Sequence, residues 1–300
     1  MVFSNCHSNL QVFHCNVFCA EPYQGNPASV VLCPSPLSEQ TMQLLAREFN
    51  TPETMFISVS DKQVSLRYFT PLKEVNSCGH GTLAAASVAF KCGLNQALDW
   101  VELQTTNGLI RCYQQSDKKG GYYAFATKQP QCEVLRDCPS GVLDSLGIDA
   151  QAIKGAYLTH FAGTATRLLL HLDEERLLAL SPDWQKLREV QQQHNVTALF
   201  AFSWLPSHKA HVKGRMFSPQ MGINEDPVNG NSVVAFSRVL THLCHSGGQS
   251  LPDEIYAYQG FSFNRQGTVR VTLSTHEMSN NSVRLAGQVV QLYQFHMELT

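Results

Sequence analysis

Four side chains in this sequence have the chemical types and settings to move a proton: Glu53, Cys78, His80 and Asp226. Glu53 stands in Thr51-Pro52-Glu53-Thr54-Met55-Phe56, at the head of an apolar run. Apolar surroundings disfavour the charged form of a carboxylate, so it can shuttle a proton near neutrality. The competing reading is a solvated turn glutamate. His80 lies between glycines in Ser77-Cys78-Gly79-His80-Gly81-Thr82, where an imidazole can give or take a proton; the alternative is a histidine packed in a turn. Cys78 is near the same helix start, which favours a thiolate, or is an inert buried thiol. Asp226 precedes Pro227, which forces an extended backbone before it. It either bonds a substrate hydroxyl or amine, or caps a helix. Arg67 reads as a paired or solvated strand residue rather than a substrate clamp.

The elements that must position these groups share one layout. Ser77–Thr82 runs into Leu83–Phe90, and Glu225-Asp226-Pro227-Val228-Asn229-Gly230-Asn231-Ser232 runs into Val233–Leu240. Each is a polar glycine loop opening a small, apolar helix, and the N–H groups of a helix start bind anions. Val75–Phe90 contains no Lys, Arg, Asp or Glu; a helix apolar on every face is buried on every face. Gly93 is its natural stop.

Around these helices the pattern predicts strands at Val12–Val17, Ala28–Cys33, Thr54–Val59, Val64–Phe69, Trp100–Thr105, Leu109–Tyr113 and Tyr122–Thr127. A surface helix starts at an N-capping Ser38. Lys128–Pro139, with two prolines, reads as a linker. A second unit then repeats the order. Its strands are Ala156–Phe161, Thr166–Leu172, Ala198–Trp204, Lys209–Phe217, Ile255–Gln259, Val269–Leu273 and Val283–Gln294, with helices around Pro182–Gln192 and Val233–Cys244. Strands mostly follow strands, which predicts an α+β protein of two similar domains with largely antiparallel sheets, each around its own buried helix. The N-terminal domain is expected over 1–128, joined by the C-terminal strand near 283–300. The C-terminal domain is expected over 129–282, with the active-site cleft between the two.

The totals narrow the function. The chain has 300 residues, is 43% hydrophobic and 15% charged, and carries a formal charge of −2. Nothing here suits phosphate-driven nucleic-acid binding, and no run approaches the roughly 20 apolar residues of a membrane span. No secretory leader is evident in the first 20 residues, and ten cysteines without a Cys-x-x-Cys pair suit free thiols in the cytoplasm. The group Cys6, His7, His14, Cys15 and Cys19 fits no usual zinc spacing. Neither glycine loop is followed by the Lys-Ser/Thr of a phosphate loop, and no Gly-x-Ser-x-Gly elbow occurs.

Taken together, the motifs resemble the PhzF-like family, named for an isomerase of phenazine biosynthesis and related to diaminopimelate epimerase and proline racemase. The resemblance covers almost the whole chain. It runs through Asn16-Val17-Phe18, Gly25-Asn26-Pro27-Ala28, Glu53-Thr54-Met55-Phe56, Arg67-Tyr68-Phe69-Thr70-Pro71 and Cys78-Gly79-His80-Gly81-Thr82. It continues in Arg215-Met216-Phe217, Glu225-Asp226-Pro227-Val228 and Tyr258-Gln259-Gly260. The resemblance implies a diaminopimelate epimerase-like fold and proton transfer without cofactor or metal. Glu53 matches the family's proton-moving glutamate; His80 and Asp226 match its substrate-holding pair. Backbone N–H groups at Gly79, Gly230 and Asn231 would hold a substrate carboxylate, with Gly81 and Cys78 in the same substrate-binding set. A homodimer is a further expectation of the resemblance. Where the family usually has Thr, this chain has Asn229; where the phenazine enzyme has Ser and His, it has Asn231 and Val233. These are pocket positions, so the substrate is expected to differ. Two-thiol racemisation is disfavoured because the second loop holds no cysteine. The leading expectation is a cofactor-independent isomerase of a small carboxylate; the alternatives are a silent binding protein of the same fold and a thiol-based epimerase.

Overall fold

The structure, a computed structural model, describes residues 9–60, 63–117, 120–161, 166–205, 210–273 and 281–299. Contacts gather the chain into two compact units: Met1–Ala126 with Ala286–Thr300, and Thr127–Leu285.

The first unit opens with β1 (Asn9–Val17), β2 (Asn26–Cys33), α1 (Glu39–Phe49), β3 (Thr54–Ser60) and β4 (Gln63–Phe69). It continues with β5 (Glu74–Val75), α2 (Gly79–Lys91), β6 (Trp100–Thr105), β7 (Gly108–Asp117) and β8 (Gly120–Lys128). Ser38 caps α1 as expected, its Oγ accepting from Thr41 N at 3.1 Å. Apolar residues of α1 pack Met42, Leu45 and Ala46 on Val31, Phe56 and Phe69 of the sheet. The other helix, α2, is buried on every side from Gly79 to Ala86. It lies against β1, β2, β3, β6 and β7, so the sheet curls around it. With no Lys, Arg, Asp or Glu before Lys91, α2 has little to offer to water, and burial is its stable state.

The second unit holds β9 (Gln131–Leu135), α3 (Val142–Leu146), β10 (Ile153–His160), β11 (Thr166–Leu172), α4 (Glu174–Ala179), α5 (Trp184–Gln193) and β12 (Ala198–Leu205). It continues with β13 (Ala210–Ser218), β14 (Ile223–Asp226), α6 (Gly230–Ser246), β15 (Glu254–Gln259), β16 (Gly267–Thr272) and β17 (Ser282–Gly287). Helix α6 packs on β9, β11 and β16. The last strand, β18 (Val289–Glu298), pairs antiparallel with β1 and also touches α2.

The α+β class and the buried-helix layout read from the sequence are those observed. Several details differ. The expected linker contains β9, which pairs with β10 through Leu135 and Ala156. The expected strand 283–294 is two strands, broken at Gln288, whose carbonyl accepts from Phe18 N at 2.8 Å. Gly287 beside the break has no room for a side chain: a Cβ would lie 2.4 Å from the Phe18 ring. Antiparallel pairing dominates, but each unit has two parallel pairs, β2–β3 and β4–β6 in the first, β11–β12 and β13–β15 in the second. A parallel pair needs a crossover, and the four helical crossovers are where α1, α2, α4–α5 and α6 lie. Lys209 of an expected strand, with Cys6 and His7, lies outside the described residues. No helix of the described residues is long and apolar enough to cross a membrane.

Candidate active site

The glycines of the two motifs lie inside the helices, and only the residues just before them are loop. Gly79, His80 and Gly81 form the first turn of α2, and Gly230, Asn231 and Ser232 the first turn of α6. Each helix therefore begins on its polar motif, with a capping side chain just before it.

In the first unit that cap is Cys78. Its backbone is extended, and its Sγ accepts from Gly81 N at 3.2 Å. Sulfur is a weak acceptor, so this is an uncommon cap. Gly81 makes it feasible: a Cβ there would meet Met55 Sδ at 2.6 Å and the Cys78 sulfur at 3.0 Å. His80 stands one residue into the turn, 5% exposed, with Nδ1 3.4 Å from Cys78 Sγ. On its other side Nε2 lies 3.1 Å from Oε2 of Glu53. The contact is close but poorly aligned, because Oε2 is buried and has no hydrogen-bond donor by angle. Glu53 itself is fixed by its backbone. Its carbonyl accepts from Thr51 Oγ1 at 3.0 Å and from Ser29 N at 3.3 Å. Three groups thus form a compact cluster of carboxylate, imidazole and thiol.

Their electrostatics are coupled. Burial pushes the Cys78 thiol up, the Glu53 charge adds to this, and the contacts from His80 and Gly81 only partly oppose it. Burial alone would lower His80; the Cys78 sulfur and the Glu53 carboxylate outweigh it, and the imidazole is raised well above its ordinary 6.5. Cys78 can supply charge to His80 only as a thiolate, yet its own shift favours the thiol. The part of the His80 shift that needs no thiolate is that of the Glu53 carboxylate. Glu53, Cys78 and His80 also offer O, S and N atoms within 4.8 Å of one another, a set able to hold a metal ion. Such binding would have to remove a thiol proton that the site retains.

Next to Cys78, Tyr68 Oη and Thr82 Oγ1 are 2.8 Å apart, and Thr82 Oγ1 donates to the Cys78 carbonyl at 2.8 Å. Neither stood out in the sequence, where they read as a strand tyrosine and a helix-start threonine. Arg67 is paired, as expected: its Nε and Nη2 reach the two oxygens of Glu74 at 2.7 and 2.6 Å. Away from this cluster, His14 stacks on Tyr293 at 4.9 Å, and Cys15 is fully buried.

In the second unit Asn229 is the cap, its Oδ1 accepting from Ser232 N at 2.8 Å. Asn229 Nδ2 donates to Asp226 Oδ2 at 2.9 Å, and Val228 N donates to Oδ1 at 3.3 Å. Asp226 is thus a buried carboxylate at the end of β14, tied to the cap. The fully buried Gln259 holds the same residue, accepting from Asn229 N at 3.1 Å and donating to its carbonyl at 3.2 Å. Gly230 is buried and Asn231 half-buried beside it. Arg167 of β11 also reaches this helix start, with Nη1 3.2 Å from Ser232 Oγ. Its only local signal is that of a lone cation opening an apolar strand. The structure therefore joins Glu53, Cys78, His80, Gly79 and Gly81 in one group, and Asp226, Gly230 and Asn231 in another.

A family model described as "Phenazine biosynthesis-like protein" matches residues 15–294. The chain belongs to this family. Among its relatives, the "Uncharacterized isomerase YddE" of Salmonella typhimurium is 34% identical over 297 residues, covering 96% of this chain and 97% of the relative. The "Uncharacterized isomerase PA2770" of Pseudomonas aeruginosa is 33% identical over 226 residues, or 74% of this chain and 78% of the relative. Among solved structures, a PhzF-family protein of Enterococcus faecalis is 25% identical with a TM-score of 0.78, covering 97% of this chain and all of that one. The fold extends to a hydroxyproline epimerase of Agrobacterium vitis, solved with trans-4-hydroxy-L-proline, at a TM-score of 0.61 and 12% identity over 97% of this chain and 93% of that one.

Proposed function

We propose that this family member is an isomerase that moves a proton within a small carboxylate-bearing substrate. The observation that carries the reading is the Glu53 carboxylate 3.1 Å from Nε2 of the buried His80 at the start of α2. Relatives called isomerases and an epimerase neighbour with a bound imino acid support the same chemistry.

In this scheme Glu53 takes a proton from a carbon beside a carbonyl or other unsaturated group. The electron pair left on that carbon moves into the unsaturated system. Negative charge grows there, and the His80 imidazolium with the N–H groups at the α2 N-terminus stabilises it. The Glu53 carboxyl, whose proton exchanges with solvent, then returns a proton to a different carbon. No atom is gained or lost, and no step uses a cofactor. Asp226, Gly230 and Asn231 are assigned to holding the substrate, as the family resemblance implies.

The direct test is exchange of solvent deuterium into a panel of cyclic and amino carboxylic acids, including trans-4-hydroxy-L-proline. Wild-type protein is expected to label at least one acid, and Glu53→Gln to label none. Binding without labelling by the wild type would make the chain a silent binder instead. One feature favours a thiol-based reaction, the Cys78 sulfur on the first turn of α2. Loss of labelling in Cys78→Ser with retention in Glu53→Gln would transfer the chemistry to the thiol.

A further inference from the structure

The second unit contains a buried cation that the scheme above leaves unused. Arg167 is 8% exposed. It makes one side-chain hydrogen bond among the described residues, to Ser232 Oγ in the first turn of α6, and its Nε is buried without a partner. The Phe161 ring lies 5.8 Å from its Cζ. Arg215 in the same unit shows what a structural buried arginine looks like. Its Nε and Nη2 each donate to Glu225 at 2.9 Å, and Nη1 donates to the carbonyls of Leu177 and Leu180. Among the described residues, Arg215 makes four hydrogen bonds with its five donors, whereas Arg167 makes one.

Its location sharpens the contrast. A helix start carries roughly half a positive charge, so a cation there stands at the unfavourable end of the dipole. Burial adds to the cost and lowers the Arg167 pKa to about 10, with the Asp226 charge offsetting only part of this. Asp226 in turn accepts from Asn229 and Val228. A guanidinium and a helix start therefore converge on Ser232 with one carboxylate in their field, an arrangement that a second anion would stabilise.

We propose that Arg167 is a carboxylate-binding residue, acting with the first-turn N–H groups of α6. Its planar fork matches a planar carboxylate better than a tetrahedral anion. This deepens the isomerase reading, on which it rests for treating the carboxylate as that of the substrate; the binding itself stands apart from turnover.

The test follows the Arg167 Nε–H signal in proton–nitrogen spectra of the full chain, assigned by its disappearance in Arg167→Lys. Benzoate and cyclohexanecarboxylate are the probes, benzamide and cyclohexanecarboxamide their uncharged counterparts, and inorganic phosphate the tetrahedral control. The carboxylates are expected to shift the signal saturably, while the amides leave it in place. Arg167→Gln is expected to bind the carboxylates at least tenfold more weakly. The proposal is overturned if wild type binds no carboxylate, if the carboxylates bind without moving the Nε–H signal, if the amides bind equally, or if Arg167→Gln binds as wild type does. Phosphate binding as tightly as benzoate would overturn the carboxylate preference. Should Arg167→Gln fail to fold, the wild-type signal decides. The two readings fail separately. Normal labelling by Glu53→Gln removes the isomerase scheme and leaves carboxylate binding intact, whereas unchanged binding by Arg167→Gln does the reverse.

Discussion

Each unit leads into its buried helix with the same device. In the first, Arg67 on β4 grips Glu74 with two parallel hydrogen bonds and lies 5.2 Å from the Phe69 ring. In the second, Arg215 on β13 grips Glu225 in the same way, 5.1 Å from Phe217. A short strand and an N-cap follow in both. The differences begin at the cap, which is the Cys78 sulfur before α2 and the Asn229 amide before α6. They continue in the residue that leads into the second strand of the parallel pair, Glu53 before β3 and Thr197 before β12. The charged group brought to the helix start is consequently an acid in one unit and, beside Asp226, an arginine in the other. One backbone plan supplies two helix starts, and a few side chains give them different chemistry.

The largest expected effect separates the two arginine clamps. Arg215 and Glu225 are each 7% exposed, but Arg67 and Glu74 are 32% and 23% exposed. Removing one partner of a buried pair strands the other, so Arg215→Ala should destabilise by about 3–5 kcal/mol. Arg67→Ala should cost about 1 kcal/mol or less, since water screens that pair. Chemical denaturation of both variants measures this, and equal losses would erase the distinction between the units.

The caps come next. Asn229→Ala removes a hydrogen bond to Ser232 N and should cost about 1 kcal/mol. Cys78→Ser replaces a weak acceptor with a strong one and should change stability by less than about 0.5 kcal/mol. Thermal melts of the two variants would contradict the comparison if the cysteine proved the more costly cap.

The last effect is a pH dependence at the first helix start. His80 is raised in the folded chain, so the Glu53 pair contributes fully below the ordinary imidazole value of 6.5 and is lost as pH rises through the raised value. Stability of the wild type relative to Glu53→Gln should therefore shrink as pH increases. A proton NMR titration of the His80 ring should show its midpoint fall in Glu53→Gln. An unmoved midpoint would assign the raised value to Cys78 instead.

Much of this was legible in the residues. The buried helices announced themselves by lacking charge, and Ser38 marked α1. The Glu53, Cys78 and His80 motifs stood out by type. The unread parts have physical causes. Strand β9 is exposed on both faces for much of its length, so it shows no alternation, and two prolines beside it suggest a linker. Gly79 and Gly81 looked like a loop because glycine is a poor helix former; the first turn accepts them, and the contact of Met55 and Cys78 with Gly81 requires one. Arg167 was overlooked because one cation at the start of an apolar strand reads as a solvated end. Its burial comes from β11 lying against α6, a long-range packing that no local pattern carries.

The central claim is that the first helix start moves the proton and the second holds an anion. Steady-state deuterium exchange on one labelled carboxylic acid tests it, comparing Glu53→Gln and Arg167→Gln over a full range of concentrations. The account predicts that Glu53→Gln lowers the saturated rate by about 10²–10⁴-fold with little change in apparent affinity. It predicts that Arg167→Gln weakens apparent affinity at least tenfold and largely keeps the saturated rate. A Glu53→Gln variant that keeps the wild-type saturated rate would contradict it.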